Sequence, residues 1–280
     1  MHTILEKIVA GKWIAGPKIG DAINKALQLN SLGESAIINY LGEEFTERQD
    51  VSEAVKTYIA LIDEIRKRSV NASVSVKITQ LGLRISEKLA EENYVKLANF
   101  ARSKGIFLWL DMESSDTVSA TIRAYKKQVK KGGVGIAIQA YLRRSAKDVA
   151  SLVQKHAVIR LVKGAYSESS KVAFKSKQEV NKSYESLMLY LFKNSSEFTI
   201  ATHDSNMIEK ALELNRVYRK KVTYAMLNGI RSDYAKQLAM RGEHVAIYVP
   251  FGPKWVDYAY RRMREQGHIS LILRSLISSK

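Results

Sequence analysis

The chain has 280 residues, 46% of them hydrophobic, with 45 Lys and Arg against 28 Asp and Glu, a formal net charge of +17. It has no cysteine, which excludes disulfides, thiolate nucleophiles and Cys-ligated metals, and its five histidines form no HxH or HExxH pattern, so no metal site is expected. No apolar run is long enough to span a bilayer and none near Met1 reads as a cleaved signal, so a soluble, cytoplasmic protein is expected, its positive charge suited to an anionic cofactor or substrate or to peripheral contact with an anionic membrane surface.

The densest basic clusters, 66–68, 126–131 and 216–221, read as exposed helix ends. No nucleic-acid-binding motif accompanies them, and no nucleic acid partner is expected. Residues 1–30 read as one or two helices interrupted at Gly16 and Pro17. Short apolar, β-branched segments then recur at 35–41, 73–81, 106–112, 134–141, 158–162, 198–202, 222–227 and 244–249. Between them lie amphipathic stretches of helical length at 51–68, 86–103, 115–131, 146–156, 178–193, 206–215 and 232–241. A further helix is expected at 254–265, and then a helical tail. Strands alternating with helices imply parallel pairing with right-handed crossovers. Eight such units predict an α/β fold, a closed (β/α)8 TIM-like barrel, with a doubly wound open sheet as the main rival. No linker or composition shift divides the chain. It reads as an N-terminal helical segment, 1–30, followed by one barrel domain, 31–280.

In such a barrel the polar residues at the C-terminal ends of the strands are the ones that make a site. The first strand ends at Gly42 and Glu43. The second, SVSVKITQLGL, carries Lys77 inside an alternating apolar run, where it must be paired or must meet a ligand. Asp111 near the end of the third strand is a candidate for that pair. Gln139 on the fourth is either a satisfied interior amide or a partner for a uracil-like ring edge. Arg160 on the fifth, flanked by apolar residues, points into a core or a ligand. Lys163, Gly164 and Ala165 follow it and suit close approach of phosphate to backbone. Thr202, His203 and Asp204 lie at the mouth after the sixth strand, with His203 either structural or functional. Met226 and Leu227 read as packing, and Gly229 as a turn.

The stretch YVPFGPKWVDYAYRRMRE closes the pattern. Tyr248 ends the last strand, Pro250, Gly252 and Pro253 break it, and Tyr258, Arg261 and Glu265 share one face of the helix that follows. The adjacent Arg261 and Arg262 beside two phenols suit a small carboxylate, held by a bidentate fork; a solvated basic helix is the plainer alternative. With several cations, few carboxylates and no Ser/His/Asp set, hydrolysis fits poorly. A large anionic cofactor beside a small anionic substrate fits well.

The ordered motifs SVKITQLGL, LDMES, VGIAIQAYLRRS, IRLVKGAY, ATHD and YVPFG followed by YAYRRMRE resemble proline dehydrogenase, a flavin-dependent barrel enzyme, over roughly 34–265. The resemblance implies oxidation of L-proline to Δ1-pyrroline-5-carboxylate by FAD, reoxidised by a quinone or another acceptor. It implies that Lys77, Arg261 and Arg262 bind the proline carboxylate, that Tyr248, Tyr258, Tyr166 and Leu227 enclose the ring, and that Asp111 aligns Lys77 or an arginine. Arg160 and Gln139 would contact the flavin ring, and Val162, Lys163, Gly164, Ala165, Lys177, Thr202, His203 and Asp204 the rest of the cofactor. Glu43 and Glu265 would pair with the substrate arginines, and the helix at 254–265 would lie over the site. Three positions depart from the family pattern: Ser167 where a large residue is common, Asp204 where Asn is common, and Ala225 where Gln is usual. They leave FAD against FMN open. The alternatives are a dehydrogenase of a related imino acid such as hydroxyproline, or a non-catalytic barrel that binds polyanions.

Overall fold

Eight strands pair in chain order and close on themselves: β1 (Ser35–Tyr40), β2 (Ala72–Val76), β3 (Leu108–Leu110), β4 (Val134–Gln139), β5 (Val158–Val162), β6 (Glu197–Ala201), β7 (Lys221–Leu227) and β8 (His244–Phe251). Every pairing is parallel, including β8 back to β1, so this computed structural model, which describes residues 13–253, is the closed barrel that the strand–helix alternation predicts. The helices are α1 (Ile19–Asn30), α2 (Arg48–Lys67), α3 (Glu87–Ser103), α4 (Val118–Lys126), α5 (Ser145–Val153), α6 (Lys177–Asn194), α7 (Ser205–Tyr218) and α8 (Ser232–Met240). A short 3-10 turn, Val129–Lys131, follows α4. The first helix buries Ala22, Ile23, Ala26 and Leu29 and packs against β1 and β8, sealing the seam where the barrel closes. The expected helix at 254–265, with Tyr258, Arg261, Arg262 and Glu265, lies outside the described residues, as do residues 1–12.

The period-two alternation of strand side chains divides the apolar residues into two clusters. Outward residues such as Ile38, Val74, Leu108, Ile136, Leu161, Ile200, Tyr224 and Ile247 join the helices in the large core. Inside the barrel a separate cluster holds Ile37, Trp109, Ala225 and Ala246, with Phe107, Val158, Ala201 and Tyr248 against it. One indole fills this interior because its neighbours are small. A Cβ on Gly135, the β4 partner of Trp109, would stand 2.4 Å from the indole ring.

Two strand boundaries differ from the sequence pattern for a hydrogen-bonding reason. The apolar run at 73–81 leaves the ladder after Val76. Beyond it the backbone turns on itself, with Leu81 N–H and Leu83 N–H both donating to the Ile78 carbonyl, although Ile78 and Leu81 remain buried. Buried turns and buried strands have the same apolar signature. At the other end, Pro250 does not stop β8, which runs to Phe251. Proline lacks only a donor, and its carbonyl accepts from Ala15 N–H at 3.0 Å.

Candidate active site

Parallel strands put every C-terminal tip at one mouth, and the inward residues of β2, β3, β5 and β8 converge there on one carboxylate. Asp111, just past β3, accepts from the Ser75 hydroxyl at 2.7 Å and the Tyr248 hydroxyl at 2.7 Å, and also from the Arg160 guanidinium. Lys77 Nζ stands 3.9 Å from Asp111 Oδ2 and 3.9 Å from Glu43 Oε2. The Tyr166 hydroxyl donates to Glu43 at 3.2 Å. The Lys77–Asp111 pair read from the sequence is therefore present, and Asp111 serves Arg160 as well. Arg160 is sandwiched, its guanidinium carbon 5.0 Å from the Trp109 ring centre and 5.5 Å from that of Tyr248.

Electrostatics follow from burial and these contacts. Burial pushes the Asp111 carboxyl up, but Arg160 and Lys77, with the Ser75 and Tyr248 hydrogen bonds, outweigh it and hold the group below the ordinary aspartate value. Burial pulls Lys77 down, yet Tyr166, Asp111, Glu113 and Glu43 raise it well above an ordinary lysine, so it stays charged. Glu113, fully buried at the end of β3, is pushed up to about 6 by burial, against the pull of Lys77 and of Thr79. Carboxylates are thus more numerous at this mouth than the sequence inventory suggested: each of Lys77, Arg160 and Lys163 already has an acidic partner.

Among the buried polar atoms with no hydrogen-bond partner within the described residues are Arg160 Nη1 and Gln139 Oε1, both at inward-facing strand positions. They come from adjacent strands, where Ala137 pairs with Arg160 and Gln139 with Val162. Gln139 Nε2 donates one of its two hydrogens to the Met112 carbonyl at 3.4 Å. A buried donor and a buried acceptor without partners on neighbouring strands suit the edge of a flat heterocycle that offers both.

The other predicted residues fall around this centre. Lys163 donates to Asp204 at 2.7 Å and to Asn181 at 2.7 Å, while Asp204 also caps α7 through Asn206 N–H. Gly164 has φ +112, and a Cβ there would meet the Tyr141 ring at 2.1 Å, so the glycine accommodates an aromatic neighbour. Val162 ends β5, and Ala165 is exposed in the loop after it. Lys177 is exposed in the first turn of α6. Thr202 Oγ1 accepts from Asp204 N–H. His203 Nε2 accepts from Leu227 N–H at 2.9 Å, which fixes the proton of the neutral ring on Nδ1. Arg231 donates to the His203 carbonyl at 2.5 Å and the Ser205 hydroxyl at 2.8 Å, tying the loops after β6 and β7 together.

Ser75, Trp109, Thr79 and Glu113 were not singled out from the sequence. The signal was there: Ser73, Ser75, Lys77 and Thr79 are polar at every second position, and Phe107, Trp109, Asp111 and Glu113 form the matching inward stripe on the next strand.

A sequence profile of the proline dehydrogenase family matches residues 22–274. Proline dehydrogenase 2 of Bacillus subtilis (strain 168) is 34% identical over 264 residues, 93% of this chain and 87% of that protein. The proline dehydrogenase of Deinococcus radiodurans is 32% identical over 266 residues, 92% of this chain and 86% of that one. Among solved structures, proline utilization A from Bdellovibrio bacteriovorus superposes with a TM-score of 0.86 at 22% identity over 92% of this chain. This chain spans 32% of that longer one, and the likeness is one of fold. The chain belongs to the proline dehydrogenase family.

Proposed function

We propose that this protein oxidises L-proline to Δ1-pyrroline-5-carboxylate at the barrel mouth, with FAD as its cofactor, as the first step of proline catabolism. The observation that carries the reading is the open pair Arg160 Nη1 and Gln139 Oε1, which matches the donor and acceptor edge of a flavin ring beside the Asp111 network. When bound, the flavin supplies the two-electron acceptor for a hydride leaving the ring carbon beside nitrogen, the carbon that does not bear the carboxylate. The amine proton passes to solvent. Lys77, with Arg261 and Arg262, binds the substrate carboxylate. Tyr248, Tyr258, Tyr166 and Leu227 enclose the apolar ring, and Glu43 and Glu265 brace the arginines.

With the flavin bound, the fixed charge of Arg160 would stabilise negative charge on the ring, and Asp111 holds the guanidinium in place. Val162, Lys163, Gly164, Ala165, Lys177, Thr202, His203 and Asp204 form the side of the site that the remainder of the cofactor occupies. Asp204, in place of the family's usual Asn, keeps Lys163 paired. The electrons pass on to a quinone or another acceptor, and the net charge of +17 favours contact with an anionic membrane surface. In this reading the chain divides into an N-terminal helical segment, 1–30, and the catalytic unit, 31–280.

The test is an absorbance spectrum of the purified protein. It should be yellow and should bleach anaerobically on addition of L-proline. A yellow protein that bleaches only with hydroxyproline moves the substrate, and a colourless protein that cannot be loaded with FAD overturns the reading.

A further inference from the structure

Glu113 takes no part in the roles assigned above, yet it is 0% exposed and both of its carboxylate oxygens are committed. One of its carboxylate oxygens accepts the Thr79 N–H at 3.0 Å and the other the Thr79 hydroxyl at 2.6 Å. Thr79 Oγ1 in turn accepts the Glu44 backbone N–H at 2.9 Å. Glu44 has φ 59, a left-handed backbone disfavoured for any residue with a Cβ. Besides the Thr79 bond, the Arg84 guanidinium steadies it, Nε to Oε2 at 2.5 Å and Nη2 to Oε1 at 3.1 Å. The residue before it, Glu43, stands against Lys77 and accepts from Tyr166. One carboxylate therefore fastens the turn after β2 to the end of β3 and, through a hydroxyl, to the strained turn after β1.

A buried carboxylate is retained against its desolvation cost when its hydrogen bonds fix something that matters. We propose that Glu113 is a positioning residue of the proline site: its grip on Thr79 sets the turn at Glu44, so that Glu43 and Lys77 face the substrate in one arrangement. The inference rests on the reading that Lys77 receives the substrate carboxylate. The titratable groups facing Glu113 are Lys77 after β2, Glu43 after β1, Tyr166 after β5 and Tyr58 on α2. Protonation of Glu113, whose carboxyl titrates at about 6, weakens one of the two acceptors and loosens the turn.

Steady-state kinetics on the flavin-loaded full chain test this. Glu113→Gln should raise KM for L-proline about tenfold, the worth of one buried charge-assisted hydrogen bond, with kcat within about twofold and flavin content unchanged. Thr79→Val should reproduce the effect and Thr79→Ser should not, and the pair Thr79→Val with Glu113→Gln should be no worse than either alone. In the parent, KM should climb as pH falls through about 6, and in Glu113→Gln that limb should be absent. Normal KM in both Glu113→Gln and Thr79→Val, with Lys77→Met impaired, overturns the proposal alone. Normal KM in Lys77→Met overturns the substrate placement and the proposal with it. Should Glu113→Gln fail to fold, the contrast of Thr79→Val with Thr79→Ser decides.

Discussion

Asp111 and Glu113, two residues apart and both buried, answer burial in opposite ways. Arg160 and Lys77 flank Asp111, so its folded pKa lies below the ordinary 3.8 and its contribution to stability is present above that value, lost only as acid takes the pH through the lowered one. Among the described residues Lys77 is the cation acting on Glu113, and burial outweighs it, so the folded pKa of about 6 lies above the ordinary 4.5. Between those values the native protein holds a proton that the unfolded chain has released, so this group's stabilisation is full below 4.5 and declines as pH rises through about 6. The shift corresponds to ~2 kcal/mol. Urea titrations at pH 4.5 and pH 7 should therefore show the parent losing about that much relative to Glu113→Gln. An equal pH dependence in both would mean that Glu113 titrates normally in the fold. Lys77, Asp111 and Arg160 were legible as residues because charge inside an apolar strand stands out. Glu113 was marked only by its place in the alternating stripe 107, 109, 111, 113, a weaker signal because beyond a strand end a glutamate usually faces water.

At the scale of single elements, the barrel interior is a fit between one large side chain and several small ones. Trp109 on β3 lies against Gly135 on β4, with Ala225 on β7 and Ala246 on β8 in the same cluster. Ala225, where the family usually has Gln, is thus among the small residues that leave room for the indole. Gly135→Ala should cost about 1–3 kcal/mol through overpacking. Adding Trp109→Leu should return part of that loss, although each change alone destabilises, which a double-mutant cycle by thermal or urea unfolding measures. Purely additive losses would mean the indole does not fill that space. Helix starts were legible to within a few residues where a side-chain cap marks them, as at Ser176 before α6. They were not legible at 77–81, where Thr79 N–H goes to the Glu113 carboxylate and the donors after it close on the backbone carbonyls of Ile78 and Thr79 instead of a strand ladder.

The whole molecule carries its charge unevenly for a simple geometric reason. All strands run one way and the helices return, so the helix C-termini collect at the end opposite the mouth. There Arg66 and Lys67 of α2, Arg102 of α3, Lys126 of α4, Lys193 of α6 and Arg216 of α7 sit in last turns, where cations complement the helix dipole. A surplus arranged this way favours anionic surfaces at low ionic strength. The protein should sediment with vesicles containing anionic lipid at ~10 mM salt and be released at ~0.15 M and above, where the Debye length falls to about 8 Å. No sedimentation at low salt would remove the membrane contact from the proposed function. Among the described residues no helix is long and apolar enough to cross a membrane.

The eight-fold alternation of strand and helix is a property of the sequence alone, because hydrophobic period and turn residues are local and only one closed parallel arrangement buries so many two-sided strands. The residues that carry chemistry were also marked locally, as charges and amides in apolar surroundings. Which of them meet was decided by closure of the barrel. Hydrogen bonds across long sequence separations, Tyr248 to Asp111 and Arg160 to Ser75, depend on strand register and tilt, which no local pattern encodes. The same closure matched Lys77, Arg160 and Lys163 with carboxylates and, among the described residues, left one guanidinium nitrogen and one amide oxygen without a hydrogen-bond partner.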